Sequence, residues 1–148
     1  MPSRPTVDPA HWLYRLAPRD WLAAADTELA HAQETFARHA PRPGITHARR
    51  AAGMAMNALL WLGDRSHWGR SYMEHVVAAA TDETVPPEIR AAAATLQTTP
   101  ATPPTLVPLR RMGEPDVAGR AILAATKAIV DWAKHLVAAD DTAGAIVS

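Results

Sequence analysis

The stretch ITHARRAAGMAMNALLWLG (residues 45–63) decides the fold. Its apolar residues Ile45, Ala48, Ala52, Met56, Leu59 and Leu60 recur at steps of three and four, the period that lines side chains along one face of a helix. The small residues Ala48, Ala52 and Gly53 let a neighbouring backbone approach closely, so this helix is expected at the centre of the core, flanked by the first and last helices. Gly63 is a good residue for the left-handed position past a helix end.

Working outward, DWLAAADTELAHAQETFARHA (residues 20–40) carries a stripe of Trp21, Ala25, Leu29, Ala32 and Phe36, with Asp20 as its expected N-cap. A shorter helical segment, PAHWLYRLA, precedes it after Asp8 and is interrupted at Pro18. PRPG at 41–44 is expected to form a turn. Beyond Gly63 two shorter helices are predicted, one with Tyr72, Val76 and Ala80 on its face and one with Ile89, Ala92 and Leu96, divided by Pro86-Pro87. TTPATPPTLVPLRRMGEPD (residues 98–116) has the composition of a loop. A last helix is predicted from about Asp116 to Ala139, with Ile122, Ala125, Ile129, Trp132, Ala133 and Leu136 inward. The segments at 1–19 and 140–148 are expected to be an N-terminal extension and a flexible tail.

Length and composition set the class. A chain of 148 residues can bury a single core, and its 48% apolar content is dominated by alanine with 5% aromatic residues, which favours close-packed helices over sheets. The expectation is an all-α, antiparallel bundle of about five helices. Formal net charge is zero, so nucleic acid or an anionic membrane would need a local patch. There is no cysteine, no secretory h-region and no apolar run of membrane-crossing length, which together lead to the expectation of a cytoplasmic protein without a membrane.

In their order, three pieces resemble the HEPN domain, the "higher eukaryotes and prokaryotes nucleotide-binding" helical bundle: DWLAAADTELAHAQETF, HARRAAGMAMNALLWLG, and GRSYMEHVVAAA with VPPEIRAAAATL. LVPLRRMGEPD followed by AILAATKAIVDWA extends the likeness, so that it spans residues 20 to 138. The resemblance implies an up-and-down four-helix core over residues 20–139, a homodimer, and a role as a nucleotide-binding or interaction module, in some relatives beside a nucleotidyltransferase-type partner. It also implies a second class, the metal-independent ribonucleases of toxin–antitoxin pairs, marked by an Arg-x4–6-His signature near the start of the last helix. Here the chain departs from the pattern, because Arg110, Arg111 and Arg120 have no histidine at that distance. The resemblance therefore points to a non-catalytic member that binds a nucleotide, an RNA or a protein.

The same spacing does occur at Arg42–His47 and Arg70–His75. An arginine can hold a phosphate while an imidazole moves the proton of a ribose hydroxyl, which makes Arg70 and His75 the candidate catalytic pair. With thirteen arginines and seven histidines in the chain, such pairs are also an ordinary coincidence. Arg49-Arg50 and Arg110-Arg111 are the adjacent basic pairs and the candidate anion-binding residues, because guanidinium forks fit phosphate oxygens. Among the five tryptophans, Trp61 and Trp68 are the candidates for an interface, the alternative being half-buried packing. Glu28 and His31 make one Glu-x-x-His step, whereas di-iron bundles use two with further carboxylates, so no metal and no cofactor are expected.

Overall fold

The computed structural model of the chain describes residues 12–63, 65–99 and 117–147. Five α-helices run in the order α1 (Pro18–Ala37), α2 (Pro41–Leu60), α3 (Tyr72–Thr81), α4 (Pro87–Thr98) and α5 (Val117–Val147), with 3-10 turns at Trp12–Arg15 and Ser66–Trp68. Among the described residues there is no strand, and no helix is long and apolar enough to cross a membrane. The all-helical bundle expected from the sequence is what forms.

Prolines open three of these helices, because a first-turn N–H has no intrahelical acceptor to lose and the fixed φ of the ring suits the helix. PRPG, expected as a turn, is for this reason the first turn of α2. Asp20 is likewise not the N-cap of α1. It sits one turn in, where its Oδ2 accepts from the Ala17 N–H at 3.2 Å. The turn from α1 to α2 is a Schellman motif, with Ala40 N–H donating to Thr35 O at 3.1 Å and His39 N–H to Phe36 O at 3.0 Å. His39 occupies its left-handed position at φ 60°. Three residues suffice to turn the chain back, so α1 and α2 form a hairpin.

α2 is the centre, packing against α1, α3 and α5 and lightly against α4. The stripe Ile45, Ala48, Ala52, Met56, Leu59 and Leu60 is buried as expected, and from Ala51 to Leu60 only Met54 is even partly exposed. Close approach explains its glycines. A Cβ on Gly53 would stand 2.2 Å from Tyr72 Cβ of α3, and one on Gly44 would stand 2.9 Å from the Phe36 ring of α1. α3 buries His75, Val76 and Ala79, while α4 buries Ile89, Ala92, Ala93 and Leu96.

Three boundaries differ from expectation. Gly63 is not left-handed, since the positive-φ glycine among the described residues is Gly69 at 76°. The segment expected to be an N-terminal extension supplies Leu13 to the core, and the Leu13 carbonyl accepts from Trp21 Nε1 at 3.0 Å. α5 continues to Val147 rather than ending at Ala139, with Thr142 Oγ1 donating back to Ala138 O.

Candidate functional site

Two histidine centres emerge from this packing. The first lies on α2 and α3. His75 is fully buried, its Nδ1 2.8 Å from Trp68 O and its Nε2 2.7 Å from Asn57 Oδ1. Burial pushes its pKa below the ordinary value, which keeps the ring neutral. A neutral ring that donates Nδ1–H to the Trp68 carbonyl must accept at Nε2. Turning the Asn57 amide so that Nδ2 donates to that nitrogen meets the requirement and gives the buried Nδ2, otherwise without a partner, its hydrogen bond.

Around it the same chain segment closes a further set of hydrogen bonds. Trp68 is fully buried and its Nε1 donates to Asp82 Oδ2 at 2.9 Å. His67 Nε2 donates to the same oxygen at 2.8 Å, and Thr84 donates to Oδ1 from both its backbone N–H and its hydroxyl. Burial pushes the Asp82 carboxyl up, but the donors from Thr84, His67 and Trp68 outweigh it and hold the group well below the usual carboxylate range. The Arg65 guanidinium lies over the Trp68 ring, 4.8 Å from its centroid. An open groove of about 600 Å³ beside α3 is lined by His67, Met73, Glu74 and Val77.

The second centre lies on α1 and α2. One Glu-x-x-His step of α1 places Glu28 and His31 on the same face, and His47 meets them from α2. His47 Nδ1 donates to Glu28 Oε2 at 2.6 Å, and Arg50 lies 3.5 Å from Oε1. His31 and His47 meet edge to face with centroids 5.3 Å apart. One ligand atom from each of Glu28, His31 and His47 lies within 4.8 Å of the other two. Partial burial pushes the Glu28 carboxyl up, yet the His47 hydrogen bond and the Arg50 charge more than offset it, so its pKa falls below the ordinary value. The side chains remain reachable, with 14% of Glu28 and 28% of His47 exposed.

The residues singled out in the sequence fall unevenly on this map. Arg70 is exposed and His75 is sealed, so the candidate catalytic pair does not share a surface, and His75 is not at a solvated helix end. Arg49 spends its guanidinium on the end of α4, donating to Leu96 O at 2.9 Å and Thr99 O at 2.7 Å, whereas Arg50 faces Glu28. Arg110 and Arg111 lie outside the described residues. Trp68 is core and not interface, because its indole has no exposed surface. Trp61 is half-buried, edge-on to Tyr14 at 4.7 Å. Sequence reasoning missed the meeting of His47 with Glu28 and His31. Its signal was the offset of His47 from Ile45 and Ala48, which puts it at the edge of the buried stripe facing α1.

No family model, curated protein or solved structure matches the chain.

Proposed function

We propose that the chain is a non-catalytic, HEPN-like helical module that works by binding, as a homodimer, a nucleotide or a nucleotidyltransferase-type protein partner. One observation carries the non-catalytic part: the imidazole of the Arg70–His75 pair is locked between Trp68 O and Asn57 inside the core, where no ribose hydroxyl can reach it. The ribonuclease alternative built on Arg70 and His75 needs that ring at the surface. Arg49, committed to the last carbonyls of α4, is withdrawn from any anion pocket, which leaves Arg50 as the basic side chain facing solvent on this part of α2.

Three measurements on the purified chain test the reading. Light scattering is expected to give twice the 15.9 kDa chain mass. Labelled single-stranded and hairpin RNA are expected to stay intact on long incubation, and affinity capture from the source cell's lysate is expected to return a nucleotidyltransferase-type protein. RNA cleavage that is lost in Arg70→Ala, a variant of an exposed residue, overturns it in favour of the ribonuclease.

A further inference from the structure

The Glu28–His31–His47 cluster has a composition that a salt link between helices does not require. One carboxylate and one imidazole already join α1 to α2 through the 2.6 Å bond from His47 to Glu28. The second imidazole, His31, adds no hydrogen bond to that link and yet brings a ring nitrogen within 4.8 Å of both partners. Two imidazoles and one carboxylate are the donor set that borderline divalent ions prefer, and one set of three protein ligands leaves coordination positions open.

We propose that Glu28, His31 and His47 bind one divalent first-row transition ion of the zinc type. The frame is suited to it. Both elements are 20-residue helices held in close contact by buried alanines, Ala25 and Ala32 from α1 and Ala48 and Ala52 from α2, all without exposed surface. Two backbones on such a frame keep their separation as the ion enters, and only the side chains adjust. Ligand atoms about 2.0–2.1 Å from a tetrahedral ion stand about 3.3 Å apart, so the His47–Glu28 contact opens by about 0.7 Å, the ion replaces the Nδ1 proton as the ring takes its Nε2–H tautomer, and His31 closes in. Both imidazoles can turn about their side-chain torsions, because His31 is exposed and His47 only partly covered. Arg50 does not have to leave. It lies against Oε1, the carboxylate oxygen that His47 does not use, and there it orients Glu28 in the manner of an outer-sphere partner.

Isothermal titration of the untagged protein with Zn²⁺, and visible absorption on titration with Co²⁺, test the site. The expected result is one equivalent bound, with Co²⁺ bands of a low-coordinate nitrogen and oxygen environment. Each of His31→Ala and His47→Ala weakens binding at least about 100-fold, since a lost first-sphere ligand matters no less than the outer partners whose loss costs 10–100-fold. His67→Ala, which removes an exposed imidazole paired with Asp82 elsewhere, leaves it unchanged. Circular dichroism of each variant confirms that the helices persist. No heat of binding and no Co²⁺ bands, or binding that His67→Ala abolishes and His31→Ala does not, overturns the proposal. The outcome is separate from the RNA and dimer measurements above, which do not depend on an ion.

Discussion

Two histidines of this chain sit beside oxygen acceptors at nearly the same distance and have opposite characters. His75 lies 2.8 Å from Trp68 O and has no exposed surface, whereas His47 lies 2.6 Å from Glu28 Oε2 with 28% of its side chain exposed. The hydrogen bond does not distinguish them. Burial does: around His75 every polar atom must find its partner inside the protein, while around His47 water can replace any partner that leaves. The buried ring is a part of the fold, and the other is available to a ligand.

The contrast is sharpened first at Trp68. Trp68→Ala empties a fully buried indole and removes a donor from Asp82, and a loss of about 3–5 kcal/mol in urea unfolding is expected. His75→Leu keeps apolar volume but strands the Trp68 carbonyl and the Asn57 amide, for an expected loss of about 2–3 kcal/mol. A comparable loss in His47→Leu would break the comparison.

Acid probes the same difference. The folded-state pKa of His75 lies below its unfolded value of about 6.5, so the unfolded chain takes up protons first and the stabilisation present above that pH fades as pH falls. Between pH 7.5 and 5.5 this single group is expected to lower stability as the pH falls, a slope that His75→Leu flattens. Glu28, Glu74 and Asp82, whose pKa values are lowered, lose their contribution only below about pH 4.5, outside this window.

Smaller effects follow at the α1–α2 hairpin. His39→Gly relieves a left-handed φ of 60° and is expected to raise stability by about 0.5–1 kcal/mol, seen as a shift in the urea midpoint. His47→Ala, which removes a partly exposed hydrogen bond to Glu28, is expected to change stability by less than about 1 kcal/mol. A larger loss there would mean that the pair holds the hairpin together rather than waiting for a ligand.

The period of apolar residues made the helices legible, because burial of one face is a local property of the sequence. It placed Ile45, Ala48, Ala52, Met56, Leu59 and Leu60 correctly in the core. It could also have placed His75, which stands three residues after Tyr72 and one before Val76 and so shares their inward face. The identity of the residue, familiar as a reactive one, hid the position. The α1–α2 cluster was half visible as Glu28-x-x-His31. His47 joins it only because buried alanines let two helices approach, and that distance belongs to packing and not to any window of sequence. PRPG has the composition of a turn, yet it opens α2, because proline's lack of an N–H costs nothing in a first turn.

Because α2 packs against α1, α3 and α5, the amides of its buried stretch 51–60 do not reach solvent through the fraying of a single neighbour. In native-state hydrogen exchange the stretch from Ala51 to Leu60 should therefore be the last to label, opening only when the whole domain opens. The backbone carrying His47 is thus tethered to the slowest-breathing part of the molecule.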